Sequence, residues 1–143
     1  MILSTKGRYG LKAVFELSLA YGEGPVAIKK ISDKYHISEN YLEQIFGKLK
    51  KAGYISTVRG AQGGYNLAKP PEEVTVGMIL RTLEGDISAS ECIKKDVCAR
   101  ESICATRVIW EKIEKSIDDV IDNITLQDMV KDYKNKNKEC KNE

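Results

Sequence analysis

Ile37-Ser38-Glu39-Asn40-Tyr41-Leu42-Glu43-Gln44-Ile45-Phe46-Gly47-Lys48-Leu49 is the stretch of this 143-residue chain that decides its fold. The Ser38 hydroxyl can accept from the backbone N–H groups of a first helical turn, which makes Ser38 a good N-cap. Tyr41, Leu42, Ile45, Phe46 and Leu49 then share one face at helical spacing, while Asn40, Glu43, Gln44, Gly47, Lys48 and Lys51 fall largely on the other. Gly53 ends the pattern. Just upstream, Pro25 opens a segment in which Val26, Ile28 and Ile31 alternate with Lys29, Lys30 and Lys34, and Tyr35-His36-Ile37 closes it. Two short helices joined by a tight turn have helix-turn-helix spacing, and the polar face of the second has the chemistry to read base edges.

Working outward, Ser4 or Thr5 can cap a preceding helix whose stripe of Leu11, Val14, Phe15, Leu17 and Leu19 runs to Tyr21 before Gly22 and Gly24 stop it. On the other side, Tyr54-Ile55-Ser56-Thr57-Val58 and Tyr65-Asn66-Leu67-Ala68 read as two short strands around the tip Arg59-Gly60-Ala61-Gln62-Gly63-Gly64, a β-hairpin wing. Glycines there allow backbone to approach a phosphate rail, and the Arg59 guanidinium could enter a narrow minor groove. Charge agrees with a polyanionic partner for this half alone. Residues 1–70 carry 11 Lys and Arg against 5 Asp and Glu, a net +6, and residues 71–143 carry 12 against 16, a net −4. Clustered lysines are also common on merely solvated helix faces, so the organisation rather than the charge carries the reading.

Past Pro70-Pro71, Glu73 to Val76 reads as a short strand or turn leading into a short helix over Met78 to Leu83, which Gly85 ends. From Asp86 to about Ser102 no periodicity is sustained, yet Cys92, Cys98 and Cys104 lie in or beside this stretch at two six-residue intervals. From Ala105 the residues Ile109, Ile113, Ile117, Val120, Ile121 and Ile124 form an apolar stripe over about five helical turns. Such a stripe needs a partner: its own domain, or an antiparallel copy across a two-fold axis, the reading favoured by how little core remains nearby. Thr125 to Met129 restarts a short helix, and Lys131 to Glu143 reads as a polar, disordered tail. The organisation is therefore a winged helix-turn-helix domain at 1–70, a linker and cysteine-bearing sensor loop at 71–104, a dimerisation helix region at 105–130 and a tail at 131–143. The fold class is mainly α with a small β-hairpin wing and a long dimerisation helix.

Composition removes several classes. No apolar run approaches the roughly 20 residues of a membrane span, and Met1 to Lys6 lacks a signal-peptide profile, so a cytoplasmic location is expected. A cytoplasmic chain keeps its four cysteines reduced and free for other chemistry than a disulfide framework. No nucleophile–base set or phosphate-cradling loop points to an enzyme. An electron-transfer or cluster-carrier protein would leave the wing unexplained, and in a protein–protein adaptor on the same fold DNA binding would lack steep salt dependence.

Three motifs carry a family resemblance over nearly the whole chain. Ser4-Thr5-Lys6-Gly7-Arg8-Tyr9-Gly10, Ile37 to Ile45 and, most specifically, Val58-Arg59-Gly60-Ala61-Gln62-Gly63-Gly64-Tyr65 resemble the opening, recognition-helix entry and wing of the Rrf family of winged-helix bacterial regulators, which includes the IscR, NsrR and CymR types. The trio Cys92, Cys98 and Cys104 resembles the thiolate set of the cluster-sensing branch, which the cysteine-metabolism branch lacks. The resemblance implies an IscR-type homodimer with a 2Fe-2S cluster that reports cluster supply, shifts the choice of operator and controls cluster-assembly genes. A cluster-free thiol-redox, nitric-oxide or cysteine-metabolism repressor is the alternative. On their own, three thiolates suit iron–sulfur or zinc, and the five-residue gaps favour a cluster over the tighter pairs of structural zinc sites. Thiol redox without metal, and purely structural cysteines, stay open on spacing alone.

The chain departs from the family at the fourth ligand. Arg107 stands where IscR types have a histidine, and Arg8 where the nitric-oxide branch has an aspartate. Cys140, Asp96, Glu101 or an exogenous thiol are the remaining candidates, and His36 reads as a structural residue of the helix-turn-helix. On a double-stranded DNA operator, Gln44 can pair with a base edge and Glu43 can accept from cytosine N4 while repelling phosphate, which makes it a discriminator between operator classes. Ser38, Asn40, Tyr41 and Lys48 would fix phosphate register. The bland alternative for each is an exposed helix residue.

Overall fold

The computed structural model describes residues 3–93 and 103–141. The element order is α1 (Thr5–Leu19), α2 (Ile28–Tyr35), α3 (Glu39–Lys51), β1 (Ile55–Val58), β2 (Gly64–Leu67), α4 (Val76–Glu84), α5 (Arg107–Asn123) and α6 (Leu126–Lys141), with short 3-10 turns at Pro71–Glu73 and Glu91–Ile93. Ser38 caps α3 by accepting from the Tyr41 N–H at 3.2 Å, and the α2–α3 turn passes through His36 in the left-handed region at φ 55°. The wing is an antiparallel pair in which Ile55 faces Leu67 and Val58 faces Gly64. Val26 extends it through reciprocal backbone bonds with Tyr65, both 2.9 Å, which fasten the wing to the chain entering α2.

One core joins these elements. Val14 and Leu17 of α1, Ile31 of α2, Leu42, Ile45, Phe46 and Leu49 of α3, Val74 and Ile79 around α4, and Leu126 of α6 are all fully buried. Burying each such side chain stabilises by about 1.5–3 kcal/mol, so α4 and α6 are structural partners of the helix-turn-helix. Thr75 and Thr125 form the bridge that sets their positions, with Val76 N–H donating to the Ile124 carbonyl and Leu126 N–H to the Val74 carbonyl, each at 2.8 Å. The strand expected near Val74 is therefore one bridge, followed by α4 under a Thr75 cap that accepts from Met78 N–H at 3.2 Å.

Two expectations are corrected. Residues 131–141 are helical: α6 runs unbroken to Lys141 rather than ending in a disordered tail. Its start is a capping box, in which Thr125 Oγ1 accepts from Asp128 N–H at 3.1 Å and Asp128 accepts from Thr125 N–H at 2.9 Å. Leu126 and Val130 then anchor the helix in the core, Tyr133 meets the Phe15 ring edge-on at 5.3 Å, and Asp132–Lys136 forms an i,i+4 ion pair. No glycine or proline interrupts the run, so the anchored turns propagate. The second correction concerns α1, whose Ser4 occupies the N-cap position without making the expected cap; its hydroxyl and its N–H both donate to Glu84 of α4 instead.

Helix α5 is the exposed element. Ile117 and Ile121 pack on Val76, Leu80 and Ile87, and Arg81 pairs with Asp118 at 2.7 Å and Asp122 at 2.5 Å. The rest of the apolar stripe faces outward: Ile109 is 53% exposed, Ile113 40% and Val120 56%. The stripe thus divides, one row on its own domain and one row open.

Leu126→Ala removes a fully buried side chain and is expected to cost about 2–5 kcal/mol in urea unfolding; a cost near zero would mean that α6 does not belong to the core. A Cβ at Gly64 would collide with the Val26 carbonyl backbone, so Gly64→Ala should detach the wing edge and lower stability by about 1–3 kcal/mol, read as lost amide-exchange protection at Val26 and Tyr65.

Candidate nucleic-acid interface and cysteine site

Burial of Leu42, Ile45, Phe46 and Leu49 turns the opposite face of α3 outward, which leaves Asn40, Glu43, Gln44, Gly47 and Lys48 exposed together with the cap Ser38. Tyr41 is half-buried beneath this face, edge-on to Tyr9 at 6.1 Å. The wing lies alongside. Lys50 Nζ donates to Thr57 Oγ1 at 2.9 Å, and Tyr65 beside Phe46 has its hydroxyl pKa raised by burial and then by the Glu43 carboxylate. Arg59 is exposed at the hairpin tip, where Gly63 N–H closes the turn on the Gly60 carbonyl at 3.0 Å. All seven expected DNA-facing residues therefore lie on α3, its cap or the adjoining wing.

The structure adds an edge that periodicity did not single out. The first turn of α1 lies against α3, where the Thr5 and Tyr41 hydroxyls are 3.2 Å apart and the Lys6 ammonium beside Lys48 pushes the Lys48 pKa below its ordinary value. The available signal was a basic first turn: Lys6 and Arg8 stand where the helix dipole disfavours cations, with no acidic residue to offset them. Behind this face, the buried Glu16 carboxylate accepts from Lys34 Nζ and Tyr35 Oη, both at 2.6 Å, and fixes α2 on α1. Burial, followed by the hydrogen bond and charge of Glu16, raises the Tyr35 pKa and keeps its hydroxyl protonated. His36 shapes the turn into α3 by its left-handed backbone, in keeping with a structural role.

The cysteine segment connects α4 to α5. Cys92 stands in the turn Glu91–Ile93, Cys104 three residues before α5, and Cys98, Asp96 and Glu101 lie outside the described residues. The Cys104 thiol is half-buried, 3.3 Å from Thr106 Oγ1, and its pKa is lowered by that hydroxyl, by the Thr106 and Arg107 backbone and by the Arg107 charge. This is a setting that favours thiolate at Cys104, and thiolate is the form of cysteine that iron–sulfur clusters take as ligand. Among the described residues no group of three His, Cys, Asp or Glu side chains is assembled to hold a metal. Arg107, at the family's histidine position, pairs with Glu111 at 2.8 Å, while Arg8 is exposed on α1. Cys140 is exposed near the end of α6. No helix among the described residues is long and apolar enough to cross a membrane.

Comparison with known proteins follows this architecture closely. A solved structure of T. potens IscR superposes with a TM-score of 0.77 at 45% identity, covering 93% of this chain and 88% of that one. The CymR regulator of Bacillus subtilis is 41% identical over 90% of this chain and 89% of its own length. The IscR regulator of Aliivibrio salmonicida is 38% identical over 92% of this chain and 79% of its own. A family model described as "Rrf2: Iron-dependent Transcriptional regulator" matches residues 3–132. The chain is therefore a member of the Rrf2 family of DNA-binding transcription regulators and is not an enzyme.

Proposed function

We propose that the protein is a cytoplasmic, homodimeric repressor that senses iron–sulfur cluster status through Cys92, Cys98 and Cys104 and controls iron–sulfur cluster assembly genes. One observation carries this reading: three cysteines at equal spacing stand in the segment between α4 and α5, and Cys104 sits in a thiolate-favouring setting three residues before α5. A 2Fe-2S cluster, when bound, would supply a link among these thiolates that depends on iron, sulfide and redox state. The chain's own part is positional. The segment begins directly after α4 and ends at the helix whose Ile109, Ile113 and Val120 row is open to a second copy. An ordered segment would hold α5, and with it the spacing of two recognition helices, in one arrangement. In this proposal residues 1–70 bind DNA, 71–104 sense and 105–130 dimerise.

On a palindromic operator each α3 enters a major groove, where Gln44 pairs with a base edge and Glu43 accepts from cytosine N4. Ser38, Asn40, Tyr41 and Lys48 hold phosphate register, and Arg59 enters the adjacent minor groove. A second reading, a cluster-free thiol-redox, nitric-oxide or cysteine-metabolism repressor, is favoured by Arg107, which occupies the histidine position and is engaged by Glu111.

Anaerobic purification followed by visible absorption and iron and sulfide analysis separates the two. Equal iron and acid-labile sulfide, with a chromophore lost in Cys92→Ala, Cys98→Ala or Cys104→Ala, is the expected result; colourless, iron-free protein after reconstitution would move the assignment to the second reading. With an operator selected from random duplexes, Gln44→Ala should cost about 1–3 kcal/mol on that operator and leave non-specific affinity unchanged, as read by fluorescence anisotropy.

A further inference from the structure

The first turn of α1 is held from outside. A capping box would place a Glu or Gln at the third helical position to reach back to the N-cap N–H, but that position is Gly7 and the N-cap is Ser4. Glu84, the last residue of α4, takes over both duties with one oxygen: its Oε1 accepts from Ser4 N–H at 2.9 Å, Gly7 N–H at 3.0 Å and Ser4 Oγ at 2.5 Å. A Cβ at residue 7 would collide with the same Oε1, so the glycine is what admits the carboxylate. The turn so held carries Thr5 and Lys6, which lie against Tyr41 and Lys48 of α3.

That arrangement is unfavourable in the free chain. The Thr5–Tyr41 contact sets the first turn of α1 on α3, so the Lys6 ammonium at the α1 N-terminus stands beside the Lys48 ammonium in the last turn of α3, and among the described residues neither has a carboxylate partner. Repulsion between them is relieved by an anion placed against both, and a DNA phosphate is such an anion on this face. The position of Lys6 matters because Lys48 alone is a single contact; with Lys6 beside it, the edge spans α1 and α3 and ties the docking angle of the recognition helix to the rest of the domain. Arg81, one turn before Glu84, is held by Asp118 and Asp122 of α5, so Glu84 projects from a helix that is itself fastened on its other side.

We propose that Glu84 is a positioning residue for DNA binding: by capping α1 from α4 it holds Lys6 beside Lys48 as a paired phosphate contact at the edge of the recognition helix. The proposal rests on the assignment of α3 as the DNA-reading helix. Its test is a salt titration of the full-length protein on a fluorescein-labelled random-sequence duplex, with affinity read by anisotropy from about 50 to about 200 mM salt. Lys6→Ala should lower the slope of log affinity against log salt by about 0.9, one phosphate contact, which is about a three-fold smaller loss of affinity over that range. Glu84→Ala should lower it by the same amount while far-ultraviolet circular dichroism stays unchanged, and the double variant should be no lower than Glu84→Ala alone. Glu84→Gln should restore the slope, since the amide oxygen still accepts the same backbone donors. A wild-type slope in Lys6→Ala overturns the proposal whether or not Glu84→Ala folds, as does an additive double variant. Wild-type protein that failed to bind any duplex would instead remove the assignment of α3.

Discussion

The approach of α1 to α4 is the contact on which the rest of the structure depends. Two glycines on α1 make it possible: side chains at Gly7 and Gly10 would occupy the space of Glu84 and Leu83. With α1 this close, α4 closes the core beneath α3, and the Thr75–Thr125 bridge brings α6 in beside it. On its far side α4 receives α5. The polar contacts there are visible but small, since solvent reaches the Arg81 pairs with Asp118 and Asp122 and such pairs contribute about 0–1 kcal/mol each. The apolar contact of Ile117 and Ile121 with Val76 and Leu80 outweighs them. The acidic pair still matters electrostatically, because its hydrogen bonds raise the Arg81 pKa and keep the cation in place.

Around this scaffold the charge of the chain is distributed unevenly in space as well as in sequence. Of the eleven Lys and Arg among the first seventy residues, Lys6, Arg8, Lys48, Lys50, Lys51 and Arg59 lie on the first turn of α1, α3 and the wing, against Glu39 and Glu43 on α3. Glu43 is exposed in the middle of the polar face of α3, with its charge felt at Tyr65. In the proposed reading a carboxylate there would cost affinity for phosphate and so would serve discrimination rather than attraction. Wing and helix are held together by Lys50–Thr57 and by the Val26–Tyr65 bridge, so a polyanion would meet them as one surface.

The second half carries an exposed helix and a cysteine segment. Helix α5 has no buried residue and an open row of Ile109, Ile113 and Val120. Cys104 stands three residues before that helix, so its thiol and the open row are neighbours in sequence. The relatives include both IscR and CymR regulators at similar identity, which places the chain in the family, and its own Arg107 is engaged with Glu111.

Local patterns were enough for the winged helix-turn-helix, because its determinants are local: a Ser38 cap, a 3.6-residue apolar period through Leu49, a glycine-rich hairpin tip. The same locality made the exposed face of α3 legible, since a helix with one buried face must expose the other. Relations across long sequence separations were not legible. No local signal pairs Glu84 with Ser4 and Gly7, and an apparently ordinary N-cap serine loses its role to a carboxylate eighty residues away. The polar run after Lys131 reads as a tail because its own burial is slight, yet it is helical because Leu126 and Val130 are seated in a core built from the other half of the chain. Composition and period name the faces of each element; which face meets which, and so which apolar row is left without a partner, follows only once the elements are packed.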